Sequence, residues 1–156
     1  MKEKSVLHRT FEIERTYPVP PQRVFAAFAD PVKKRRWFRE EDASETLEFT
    51  MDFRVGGRER SSFRIKGGPV DGVICTNDST YLDIVTDSRI VLAYTMEIGE
   101  KRFSASLATF EMLPSATGTR FIFTEQGAYF EGADTPEGRK EGWQGLLERL
   151  AVELAA

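Results

Sequence analysis

The chain has 156 residues, 40% hydrophobic and 30% charged, with a net charge of -3; it is most simply one domain that buries roughly two-thirds of its unfolded surface, with no general attraction to nucleic acid or anionic lipid. No apolar run reaches the roughly 18 residues that cross a bilayer, and Met1-Lys2-Glu3-Lys4-Ser5 leads into no hydrophobic signal segment, so a cytoplasmic location without membrane insertion is expected. With Cys75 the only cysteine and His8 the only histidine, an internal disulfide, a zinc cluster and a Ser-His-Asp triad are all excluded, and no cofactor is expected.

Phe11, Ile13 and Tyr17 alternate with Glu12, Glu14 and Thr16. That is the pattern of a half-buried strand over 9–17 that stops at Pro18, with His8 in a frayed stretch before it. Pro20-Pro21 opens a short helix carrying Val24, Phe25 and Phe28 at helical spacing; Asp30-Pro31 closes it and opens another through Trp37.

From Thr46 the period returns to two. Leu47, Phe49, Met51 and Phe53 alternate with polar neighbours, and Val55-Gly56-Gly57 turns the chain into a strand over 58–66. Arg54-Val55-Gly56-Gly57-Arg58 is thus a hairpin turn and not a phosphate loop, because no helix follows it. Gly67-Gly68-Pro69 and Asp71-Gly72 mark the next reversal, and 73–85 reads as one bent strand or two short ones. Asp87-Ser88 leads into Ile90, Leu92, Tyr94, Met96 and Ile98 on one face. Gly99-Glu100 precedes a strand over 102–113, and Ala116-Thr117-Gly118 one over 119–126, followed by a glycine-containing loop from Gly127. The sum is an antiparallel meander of about six or seven strands.

Thr135 and Pro136 suit the cap and first position of a helix over 136–155, about 30 Å long. Trp143, Leu146, Leu147, Leu150 and Leu154 form one apolar stripe, with Arg139, Lys140, Glu148 and Arg149 mostly off it. Gly142 and Gly145 each cost this helix about 1 kcal/mol relative to alanine. The compensating gain is space beside Trp143, a hollow where the helix crosses a curved sheet.

One strand, two short helices, a long meander and a final amphipathic helix make an α+β helix-grip arrangement, in which the sheet curls around the last helix. The stretches Glu14-Arg15-Thr16-Tyr17-Pro18-Val19-Pro20-Pro21-Gln22-Arg23-Val24-Phe25, Asp30-Pro31 to Arg36-Trp37-Phe38, Phe53-Arg54-Val55-Gly56-Gly57, Thr80-Tyr81-Leu82-Asp83-Ile84-Val85, Gly118-Thr119-Arg120 and Gly142-Trp143 resemble, in order, the START-like (SRPBCC) superfamily. Within it they are most similar to the bacterial branch named after the activator of the heat-shock chaperone ATPase. The resemblance implies a single domain, 1–156, with a largely apolar cavity between sheet and terminal helix. It implies no universal catalytic residue, and so no active-site motif.

Candidate cavity residues are Trp37, Phe38, Phe49, Met51, Tyr94, Met96, Phe110, Phe121, Phe123, Tyr129, Phe130 and Trp143. Each alone is as well explained by core packing, but together their polar tips and adaptable shapes suit a pocket wall. Tyr129 and Phe130, placed before the terminal helix, either gate an entrance or plug the barrel end. Glu125 extends the alternation of Thr119, Phe121 and Phe123 and points inward, either as an acid-base or recognition group or, more commonly, paired with a cation such as Arg15. Ser104 and Ser106 are in a position to offer hydroxyls to a ligand, Cys75 reads as a small hydrophobe, and Lys33-Lys34-Arg35-Arg36 as a solvated helical face.

Three functions follow. The favoured one is a non-catalytic protein binding a small hydrophobic or amphipathic molecule. The alternative is an enzyme of the polyketide aromatase/cyclase or dehydratase kind, with Glu125, Tyr94 or Arg15 moving protons. A third uses the outer sheet surface for a protein partner. Edge strands and exposed aromatics permit a homodimer without demanding one.

Overall fold

A computed structural model describes residues 5–131 and 134–156, leaving Met1 to Lys4 outside it. The elements run β1 (Leu7–Tyr17), α1 (Pro21–Ala29), α2 (Pro31–Phe38), β2 (Ser44–Met51), β3 (Arg58–Ile65), β4 (Ile74–Val85), β5 (Arg89–Ile98), β6 (Lys101–Ser115), β7 (Gly118–Tyr129) and α3 (Pro136–Ala155). The seven strands form one antiparallel sheet in the order β1-β7-β6-β5-β4-β3-β2. Every pairing but β1 with β7 joins sequence neighbours, so the meander folds through hairpins and the first strand closes it. This is the helix-grip fold expected from the element order. Among the described residues no helix is long and apolar enough to cross a membrane.

Local chemistry sets the helix starts. The Asp30 carboxylate accepts from Val32 N at 2.9 Å and Lys33 N at 3.3 Å, and Thr135 Oγ1 from Gly138 N at 3.0 Å, satisfying amide groups that a first turn leaves unpaired. Several expectations need correction. His8 is not frayed but pairs with Ala128 in β1, and β7 passes through Gly127 to Tyr129, because Gly127 leaves room for the Tyr129 ring where a Cβ would sit 2.8 Å from it. Residues 74–85 form one strand, bent by a register shift between Tyr81 and Asp83. A second shift between Thr46 and Glu48 breaks the alternation in β2 and leaves Leu47 exposed.

The core lies between the concave face of the sheet and the helices. Phe110 stacks on Phe123 at 4.9 Å, Phe123 meets Trp143 at 4.4 Å, and Phe28 packs on Trp37, Phe110 and Phe121 at 5.0, 5.0 and 5.8 Å. The C-terminal half of α3 seals this region with Leu147, Leu150 and Leu154, while Tyr17 Oη donates to Leu147 O at 3.0 Å. At the outer side α2 grips α3 through the Arg36–Glu153 pair at 2.6 Å, and the turn after α2 adds Glu41, 3.2 Å from Arg149.

Candidate functional site

The packing is different at the other half of α3. A cleft of about 390 Å³ lies between residues 138–149 of the helix, the end of α2 and strands β3 to β5. Phe38, Phe63, Met96, Trp143 and Leu146 supply its apolar wall; Asn77, Tyr94, Arg39, Arg139 and Arg149 its polar one. Gly138, Gly142 and Gly145 line it from above, and a Cβ built at Gly142 or Gly145 meets nothing within 4 Å. The two interior glycines therefore border open space beside Trp143. A chamber of this size is within the range of small-molecule sites.

Behind this wall lies a buried polar cluster. Glu125, with 0% exposure, accepts from Tyr94 Oη on Oε1 and from Tyr129 Oη at 3.3 Å on Oε2. Arg139 reaches Glu125 Oε2 at 3.5 Å, donates to Tyr94 Oη at 2.9 Å, and holds Ser104 Oγ at 2.7 Å and Asp134 Oδ2 at 2.9 Å. Trp143 Nε1 donates to Tyr94 Oη at 3.2 Å. Burial pushes the Glu125 carboxyl above its ordinary range against the pull of Arg139 and the two tyrosines. Burial likewise raises both tyrosines, with the Glu125 charge adding to it, so their hydroxyls stay protonated. Burial opposes the charge on Arg139, but the carboxylates of Glu125 and Asp134 outweigh it and hold the group cationic.

A second buried pair sits at the foot of α2. Lys34 Nζ lies 3.1 Å from Glu59 Oε1, which also accepts from Tyr81 Oη, and 4.5 Å from the Phe38 ring centre. Lys34 is thus not part of a solvated face; the α2 turn aims it inward past the aromatic rings.

Four of the sequence candidates, Phe38, Tyr94, Met96 and Trp143, line the cleft. Trp37, Phe110, Phe121 and Phe123 are buried in the aromatic core, with Trp37 Nε1 donating to Ala27 O at 2.8 Å, and lie outside that lining. Phe49 packs against the core's edge, and Met51 ends β2, half-buried. Tyr129 belongs to β7 and to the Glu125 cluster and not to a loop, whereas Phe130 follows the strand, its amide bonded to Phe103 O at 2.9 Å. Glu125 pairs with Arg139 and not with Arg15, whose Nη1 donates to Glu14 O at 3.0 Å. Ser104 and Ser106 accept from Arg139, and neither lines the cleft in which a ligand was expected to use them. Arg39, Phe63, Asn77, Arg139, Leu146 and Arg149 were missed as cleft residues. Leu146 and Arg139 carried a usable signal, the first on the apolar stripe of Trp143 and the second one helical turn ahead of it.

The comparisons agree with this fold. The family model described as Activator of Hsp90 ATPase homolog 1-like protein matches residues 18–155. The chain belongs to that family. Its fold is similar to the crystal structure of Mll3558 from Rhizobium loti, with 53% identity, a TM-score of 0.86 and coverage of 96% of this chain and 99% of that one. It is similar also to a putative uncharacterized protein from Rhizobium leguminosarum, with 37% identity, a TM-score of 0.88 and 97% of each chain covered. An AHSA1-like protein from Aeromonas hydrophila, 20% identical with a TM-score of 0.70 over 94% of this chain and 92% of that one, shares the fold. No curated protein matches the chain.

Proposed function

We infer that this AHSA1-family chain is a cytoplasmic single-domain protein that holds a small hydrophobic or amphipathic molecule in the cleft under α3 without transforming it. The observation that carries this reading is the glycine-bordered gap. An amphipathic helix gives up stability at Gly142 and Gly145, both exposed on the rim of a cleft that aromatic and thioether side chains also line, and no side chain closes that rim.

Binding is favoured over cyclase or dehydratase chemistry by the state of the polar groups. Tyr94 Oη already accepts from Arg139 and Trp143 while donating to Glu125, so it has no proton free to pass to a substrate. Glu125 lies behind it, outside the cleft lining. The raised carboxyl and the raised tyrosines shift in the same direction, not apart as an acid and base pair requires.

Native mass spectrometry of freshly purified protein is the direct test, since a copurified adduct gives both occupancy and ligand mass. A Gly142→Leu, Gly145→Leu double variant, which fills the cleft from above, should fold and lose the adduct. An adduct retained at wild-type occupancy in that variant, or wild-type protein that takes up no amphiphile from a panel, would sink the reading.

A further inference from the structure

Among the described residues three cations are buried: Lys34, Arg39 and Arg139. Two have carboxylates, Lys34 that of Glu59 and Arg139 those of Glu125 and Asp134. Arg39 has none. It caps the C-terminus of α2, is only 8% exposed, and its guanidinium lies between the rings of Phe38 and Phe63, 4.6 and 4.0 Å from their centres. Its Nε and Nη1 are buried without a hydrogen-bond partner. Burial lowers its pKa to about 10, which leaves it charged at neutral pH.

The acids whose fields reach it are occupied. Glu41 is held by Arg149 and Ser44, each at 3.2 Å, and Glu59 by Lys34 and Tyr81. Arg39 also lines the cleft, as do Phe63, Asn77 and Met96. A buried guanidinium with unmet donors is costly to keep, and a ligand anion is what relieves it.

We propose that Arg39 anchors the carboxylate of an amphipathic ligand, whose apolar body lies against Met96, Trp143 and Leu146. The proposal rests on the cleft being a binding site and adds the chemical class of what enters it. Nε and Nη1 are closed to solvent, so the guanidinium turns out from between the rings as the ligand enters and presents one of its two-donor edges, a fork that matches a carboxylate.

The test titrates decanoate and decan-1-ol into wild-type protein, Arg39→Met and Arg39→Lys by calorimetry. Wild type should bind decanoate about tenfold more tightly than the alcohol, the worth of a hydrogen bond to a charged group. R39M should lose that preference while keeping its alcohol affinity, which also reports that the cleft is intact; R39K, with charge but no fork, should fall between. Equal binding of acid and alcohol by wild type, or a preference that survives in both variants, overturns the anchor and leaves the cleft as a binding site. Failure of wild type to bind either molecule overturns both readings.

Discussion

Glu125 has no contact with solvent, yet both of its oxygens are engaged, by Tyr94 on one side and Tyr129 and Arg139 on the other. Because burial outweighs those partners, its carboxyl sits above the ordinary 4.5 in the folded protein. A carboxyl raised by folding holds its proton more firmly in the native than in the unfolded chain. Its contribution is therefore full below about pH 4.5 and is lost as pH rises through the folded value. Glu125→Gln has no such titration. Urea denaturation should show the stability of wild type relative to E125Q increasing as pH falls from neutral toward 4.5, and a constant difference would contradict the burial argument. Glu14, held low by its hydrogen bond to Arg120, titrates in the opposite sense but in both proteins, so it drops out of the comparison. The inward direction of Glu125 was readable from its alternation with Phe121 and Phe123. Its partner was not, because Arg139 comes from a different element, and strand periodicity says nothing of what lies across the core.

In α3 the division of labour follows the register. Leu147, Leu150 and Leu154 reach the packed core, Arg139 and Trp143 reach the polar cluster, and Gly142 and Gly145 lie beside the cleft. Both glycines carry helical backbone, and their Cβ positions are free of contacts. Gly142→Ala and Gly145→Ala should each stabilise the protein by about 1 kcal/mol, read as a higher midpoint in chemical denaturation. Unchanged or lower midpoints would show that the helix does not gain from a side chain there. The existence and span of α3 were legible from Thr135-Pro136 and the leucine spacing, and the glycines pointed to open space near Trp143. The inward turn of Arg139 was not expected, since a charged side chain on a wheel is ordinarily assigned to water and only a waiting carboxylate reverses that.

Across the molecule the interior is divided: aromatic rings interlock on the inner side of Trp143 and the leucines after it, and a cleft opens beside residues 138–149 of α3. Truncations should map this division. Leu147→Ala and Leu150→Ala remove fully buried side chains and should cost about 2–5 kcal/mol each, whereas Leu146→Ala, on the cleft wall, should cost well under that, by denaturation of each variant. Equal losses at all three positions would mean that the region under Leu146 is as tightly filled as the rest. A ligand that occupies the cleft should raise the melting temperature of wild type in proportion to the logarithm of its concentration above Kd.

The succession of apolar periods, the prolines at the helix starts and the glycine turns between strands were enough to determine the element order, the meander and the helix-grip class, because each is a property of short stretches of chain. Which inward-facing residues border empty space was decided only by the tertiary structure. Phe110, Phe123 and Met96 have the same alternating signature, yet two are locked in stacked rings and one faces the cleft. Arg39 is indistinguishable in sequence from Arg35 and Arg36, which stay exposed. The end of α2 turns it between Phe38 and Phe63, and that depends on how a helix terminus meets a strand distant in the chain, which no local pattern encodes.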